Sequence, residues 1–223
     1  MRNFIAILFT ILALHLYAQE ESMQYNDNQI IAGYIVSEEK ASKITTGNID
    51  VPLIIFAEQK NNDTYNIYAY NNTDSIMRIF VEIGKLHIIQ EAKDKDGTWR
   101  PIEYWRWQSL CGNSYGMEKV SAKTALKAES KRYEGNYKTE IRFKLLNNDT
   151  THYSNSMIGY ISRSQFKIPH EAKNYLYRER RKLTGKKIAD ETLFLTPKYL
   201  KEYLEILKTH RKKLSEQNQK KRN

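Results

Sequence analysis

The sequence predicts a mainly β protein, an antiparallel β-sandwich of immunoglobulin-like or related type, with a helical extension at its C-terminal end. Three observations predict it. From Ile30 to about Ile168, short segments rich in Ile, Val, Tyr and Phe recur between clusters of Asn, Asp, Gly and Ser. Those clusters carry the chemistry of tight turns. After Pro169 the turn residues thin out and a charged, helix-like texture takes over.

Strands are predicted near Ile30–Val36, Leu53–Gln59, Tyr65–Tyr70, Ile76–Ile83, Leu86–Glu91, Trp99–Trp107, Lys138–Leu146 and Met157–Phe166, with shorter ones near Glu118–Val120 and Thr124–Ala128. About eight to ten short strands at regular spacing suit a sandwich. A barrel of similar strand number is the alternative. Asn61-Asn62-Asp63, Asn71-Asn72-Thr73-Asp74 and Asn147-Asn148-Asp149 each separate apolar runs. Asn and Asp tolerate left-handed backbone and bond their own main chain, so these read as reversals. Asp96-Gly97 reads as a hairpin joining Leu86–Glu91 to Trp99–Trp107.

His170–Lys182 reads as a charged helix that Gly185 breaks. Thr196-Pro197 reads as the start of another, with Thr as cap and Pro in the first turn. Leu200, Tyr203, Leu204, Leu207 and Leu214 follow at steps of three, four and seven, which places them on one face. Ser215–Asn223 reads as a frayed end.

The first residues carry the architecture of a secretory signal. Arg2 gives a positive start, Phe4–Leu16 is almost wholly apolar, and cleavage is expected between Ala18 and Gln19. The apolar run is shorter than the ~20 residues a membrane-spanning helix needs, so no transmembrane helix is expected in the mature form. Four regions result: 1–18 signal, 19–28 polar leader, 29–169 β-domain and 170–223 basic helical tail. The expected location is outside the cytoplasm: periplasmic, outer-membrane-associated or secreted.

The chain has one cysteine, Cys111, so it forms no internal disulfide. Its formal charge of +10 is concentrated: residues 171–223 hold 16 Lys and Arg against 7 Asp and Glu. An exported chain has little access to genomic DNA, so no nucleic acid is expected. An envelope protein, an anionic lipid surface or a glycan suits the basic tail better.

Candidate sites are few. In a strand, Glu103, Trp105 and Trp107 project to one face, where stacked rings beside an acid could form a platform for sugars. The competing role for those rings is to fill the core. Leu200, Tyr203, Leu204 and Leu207 form the candidate partner-docking face, competing with packing back on the β-domain. Asp94-Lys95-Asp96-Gly97 lacks a ligand at Ala92 and flanking helices, so it reads as a turn and not a calcium loop. The histidines are not paired at metal-ligand spacing. His87 reads as structural or surface, and His152 as part of a turn. No metal, no cofactor and no catalytic residue is nominated; Cys111-Gly112-Asn113-Ser114 has no recognisable nucleophile signature around it.

The Ala18-Gln19 junction, the high Asn, Lys, Ile and Tyr content, Asp96-Gly97-Thr98-Trp99 and Cys111-Gly112-Asn113-Ser114-Tyr115 together resemble exported proteins of Bacteroidota. That resemblance implies O-glycosylation at Asp74-Ser75-Ile76 and Asp149-Thr150-Thr151, and carries no catalytic residues. The function expected from the sequence is a non-catalytic envelope or secreted protein whose basic tail docks on a partner or an anionic surface. A glycan-binding module is the alternative, and a secreted hydrolase comes after it.

Overall fold

The computed structural model describes residues 23–47, 50–107 and 115–220. The expected cleavage at Ala18-Gln19 and the segment around Cys111 lie outside the described residues. In chain order the elements are β1 (Gln24–Tyr25), β2 (Gln29–Tyr34), α1 (Glu38–Thr45), β3 (Leu53–Gln59), β4 (Thr64–Asn71), β5 (Met77–Glu82), β6 (Lys85–Leu86), β7 (Ile88–Lys93), β8 (Trp99–Pro101), β9 (Glu103–Tyr104), β10 (Tyr115–Val120), β11 (Ala125–Lys131), β12 (Tyr137–Asn147), β13 (Thr150–Tyr153), β14 (Met157–Ile161), α2 (Tyr175–Thr184), α3 (Lys186–Leu193) and α4 (Pro197–Lys220). The protein is mainly β; α1 lies between β2 and β3, and α2, α3 and α4 follow one another at the C-terminal end.

Two larger antiparallel sheets form the body. One runs β2-β11-β4-β3; in the other, β12 pairs with β7, β13 and β14, and β8 flanks β7. Alternation along each strand sends one set of side chains into a shared core. Leu53, Ile55, Tyr65 and Ile67 enter it from the first sheet, and Ile88, Ile141, Phe143 and Leu145 from the second. Tyr65 meets Phe143 edge to face at 5.8 Å. Each fully buried side chain of this kind contributes ~1.5–3 kcal/mol.

The outer faces are covered too. Ile44 of α1 packs with Ile54, Tyr68 and Tyr70 behind the first sheet. Leu195 and Leu200 pack with Ile89, Trp105 and Leu146 behind the second. Burial on both faces explains the unbroken apolar run Leu53-Ile54-Ile55-Phe56, which a strand with one wet face would interrupt. A three-stranded sheet β10-β5-β6 and the short parallel pair β1-β9 complete the strands.

The expected turns fall where the Asn and Asp clusters stand. Asn148 (φ 52°) turns β12 into β13, and Gly97 (φ 74°) turns β7 into β8. Asp94 holds that second turn by accepting the N–H of Asp96 and Thr98 at 2.9 and 3.0 Å. Three expectations need correction. His152 lies in β13, not in a turn, because the reversal occupies Asn148-Asp149 and the strand resumes at Thr150. The helix after Pro197 extends to Lys220, past the expected fraying at Ser215. The strand expected over Trp99–Trp107 is two short pieces, β8 and β9, parted at Ile102.

The polar leader is pinned at its described end. Asn26 and Asn28 are buried. The Asn28 side chain donates to Leu86 O and accepts from Leu86 N, both at 2.9 Å, as a neighbouring strand would. Asn26 donates to Glu103, which is 1% exposed. Glu103 accepts four hydrogen bonds: from Asn26 Nδ2 (2.5 Å), Gln90 N (2.7 Å), Gln90 Nε2 (2.9 Å) and Tyr133 Oη (2.8 Å). Burial pushes its carboxyl above the usual range, and those four bonds pull against the shift. One side chain thereby ties the leader to β7, β9 and the segment after β11. Replacing it leaves several buried donors unpaired, so Glu103→Ala is expected to lose about 3 kcal/mol of stability. Urea unfolding measures this, and a loss below about 1 kcal/mol would contradict the anchoring role.

Candidate functional site

The helical end of the chain is set on the body by the segment that follows β9. Glu191 to Leu193 close α3, and the last carbonyls of any helix lack partners within it. Here the body supplies them. Trp105 N donates to Leu193 O at 2.7 Å, and the Trp107 indole donates to Thr192 O at 3.3 Å. Lys144 Nζ, almost fully buried on β12, donates to Phe194 O at 2.9 Å and lies 3.6 Å from Glu91. Leu195 then takes a left-handed conformation (φ 51°), which turns the chain into α4. Thr196 does not serve through its hydroxyl as expected. That hydroxyl donates to Glu191 at 2.9 Å, while the Thr196 carbonyl accepts from Tyr199 and Leu200.

A charged aromatic cluster lies under this junction. The Trp105 indole donates to buried Glu82 at 2.9 Å. His87 stands in a slot walled by Phe80, Trp105 and Trp107, with ring centroids 4.9, 4.6 and 5.3 Å away. Its Nε2 has no hydrogen-bond partner and lies 3.8 Å from Glu82. Burial pushes its pKa down to about 4. Arg180 of α2 is 8% exposed; it donates to Thr192 Oγ1 at 2.8 Å and stacks on Trp107 and Tyr203 at 5.6 and 4.7 Å. A guanidinium can be buried here because its flat faces meet ring faces.

The residues singled out from the sequence separate into different environments. Glu103 and Trp105 do not share a face open to solvent. Glu103 sits in the leader network, and Trp105, 3% exposed, fills the space against Glu82 and His87. Trp107 is partly buried and meets Trp105 at 6.4 Å, edge to face. The rings therefore close an interior, and a flat sugar platform of Glu103, Trp105 and Trp107 is absent. On α4, Leu200 packs into the cluster of Trp105 and Leu195, and Tyr203 lies over Arg180. Leu204 is 52% exposed, and Leu207 is partly exposed. The apolar face is thus divided: its start packs on the body, and its continuation faces out.

Beyond Leu207 the helix is polar and basic. Lys208, Arg211, Lys212 and Lys213 are exposed, Lys220 follows, and Glu216 is the acid among them. Lys208 pairs with Glu205 at 2.9 Å on the surface. This distal half is the candidate site. Arg180 carries little signal in the sequence: only its spacing of three from Tyr177 places it on the same side of the helix.

No helix among the described residues is long and apolar enough to cross a membrane, and no group of three or more His, Cys, Asp or Glu among them is placed to hold a metal ion. Comparison with known proteins gives no match to a family model, a curated protein or a solved structure.

The His87 slot makes stability depend on pH. The unfolded chain holds this imidazole near 6.5, so below that pH the unfolded state takes up a proton that the folded state refuses until about pH 4. The contribution of neutral His87 is complete above pH 6.5 and falls by about 3 kcal/mol on the way to pH 4. His87→Phe, which keeps an aromatic ring in the slot, is expected to lose this share of the pH slope. Urea unfolding of both proteins at pH 7 and near pH 4.5 checks it; equal slopes would contradict the assignment.

Proposed function

We propose that this is a non-catalytic, exported envelope protein whose β-sandwich body carries a basic helical arm that docks on an anionic membrane surface. The observation that carries the reading is the division of α4. Its first turns are held by Leu200 and Tyr203, and its distal half exposes a run of lysine and arginine. At 1.5 Å per residue, the stretch from Lys208 to Lys220 is about 20 Å long.

The chemistry of that stretch selects the mode of docking. Insertion needs an apolar face, and between Lys208 and Lys220 the sequence offers one large apolar residue, Leu214. Charge is the remaining driving force. Each Lys or Arg near an anionic leaflet contributes about 1 kcal/mol, so five basic residues against one acid give about 4 kcal/mol, roughly a thousandfold enrichment. Such an attraction is screened as the Debye length shrinks from ~10 Å at 0.1 M salt to ~3 Å at 1 M.

Export is supported by the positive start, the apolar Phe4–Leu16 run and the small residue before Gln19. The sandwich reading is supported by the core shared between the two larger sheets. The non-catalytic reading is supported by the fate of the buried titratable groups. Glu103 is saturated with hydrogen bonds, and His87 and Glu82 are closed in behind rings.

Co-sedimentation with lipid vesicles tests the proposal. The full chain is expected to pellet with vesicles containing anionic lipid, to stay in solution with neutral ones, and to be released by about 1 M salt. A chain ending at Leu207 is expected to keep its cooperative urea unfolding, lose the helical circular dichroism of the removed turns, and lose most of the binding. Unchanged binding after that truncation, or no binding by the full chain, would contradict the docking role.

A further inference from the structure

A cleft of about 370 Å³ opens beside the tryptophan segment, lined by Tyr25, Arg106, Trp107, Asn174 and Leu176. It is a different place from the arm on α4. Three elements build it. The leader strand β1 brings Tyr25, the stretch after β9 brings Arg106 and Trp107, and the start of α2 brings Asn174 and Leu176. Its volume is that of a small-molecule site.

The electrostatics of the cleft are positive and incompletely answered. Arg106 is exposed and forms no ion pair with any described residue; its guanidinium lies 5.8 Å from the Tyr25 ring. Asn174 caps α2 by accepting the Tyr177 N–H at 3.0 Å through Oδ1, which leaves its amide N–H groups as donors. The first turn of α2 holds no acidic residue to answer its free N–H groups. A narrow recess of about 10 Å³ continues inward between Tyr177, Leu193 and Arg180. Arg180, more than nine-tenths buried, lines that recess, and its Nε has no hydrogen-bond partner. Glu171 acts on the adjacent Tyr104, as Arg106 does, but does not pair with Arg106.

The walls set the rest of the ligand. Tyr25, 37% exposed, and Trp107 offer ring faces, and Leu176 offers an apolar side chain. Ring faces suit the C–H side of a sugar or another flat ring. Donors on Arg106 and Asn174 exceed what a bare hydrocarbon ring can use and match a ring carrying hydroxyl groups and an acid. We propose that this cleft binds a monosaccharide-sized acidic sugar, its carboxylate or phosphate on Arg106 and the Asn174 end of α2, its ring against Tyr25 and Trp107. Trp107 thus takes a ligand-facing role here, and Glu103 and Trp105 take none.

Tryptophan fluorescence and calorimetry with the full chain test this, using glucuronate, glucose 6-phosphate, glucose and inorganic phosphate as probes. At least one of the two acidic sugars is expected to bind saturably at about millimolar concentration, with glucose at least about tenfold weaker. Binding of glucuronate alone identifies a carboxylate ligand, and of glucose 6-phosphate alone a phosphorylated one. Arg106→Met, which keeps the stem at an exposed position, is expected to weaken that binding about tenfold or more. Tyr25→Ser is expected to weaken the sugar and leave any affinity for inorganic phosphate unchanged. Absence of saturable binding by both acidic sugars, equal binding of inorganic phosphate, or full affinity in Arg106→Met would each overturn the proposal.

Discussion

Two hydrogen bonds at the end of α3 position everything C-terminal to the body. The Trp105 backbone and the Trp107 indole take up carbonyls that the helix cannot satisfy itself. Lys144 adds a third contact to the next carbonyl, Phe194 O. A buried carbonyl without a partner costs about 1–3 kcal/mol, so these contacts hold the helix end to one place. From that fixed point follow the left-handed turn at Leu195, the seat of Leu200 and the line along which α4 leaves the body. The cleft beside Arg106 follows from it too, because the segment that grips α3 also forms one of its walls.

The body relies on a related device, the asparagine or glutamate side chain that stands in for backbone. Asn28 pairs with both polar groups of Leu86. Asn155 does the same at Ala57, accepting its N–H at 2.9 Å and donating to its carbonyl at 3.0 Å, which answers part of the open edge of β3. Asn71 donates to Ser75 O, Val120 O and Ser121 O at 2.7–3.1 Å and so ties two loops together. Glu103 is the most connected of the set. Asn28, Asn71 and Glu103 are interior polar groups with hydrogen-bond partners, so burial adds specificity at little net cost, while Asn155 acts from the surface. The buried charge of Lys144 follows the same rule through Phe194 O and Glu91, whereas Arg180 donates to Thr192 and keeps an Nε without a hydrogen-bond partner.

These devices also explain what the sequence could and could not reveal. Apolar and aromatic enrichment between turn clusters locates β3, β4, β5, β7, β11 and β12, because strands covered on both faces need large apolar side chains along most of their length. Thr196-Pro197 marked the start of α4, although the hydroxyl of Thr196 serves Glu191. The anchoring of the leader is not legible locally, because Asn26 and Asn28 are turn formers in isolation; only the distant Leu86 and Glu103 give them partners. α1 escaped notice because a single buried residue, Ile44, carries its packing. Trp105 and Trp107 were visible as important, but their direction was not. A strand model aims Glu103, Trp105 and Trp107 the same way, and the chain leaves the strand after Tyr104. The division of α4 depended on Arg180, whose burial requires the rings of Trp107 and Tyr203 from other parts of the chain.

The central claim is that α4 is one helix with two roles, a packed base and a free basic arm. Hydrogen exchange resolved along the helix tests it most directly, with and without vesicles containing anionic lipid. The division predicts slow exchange from Leu200 to about Ile206 under both conditions, and fast exchange from Lys208 to Lys220 that slows only when the vesicles are present. Uniform protection along the whole helix without vesicles, or a distal half that the vesicles leave unchanged, would contradict it.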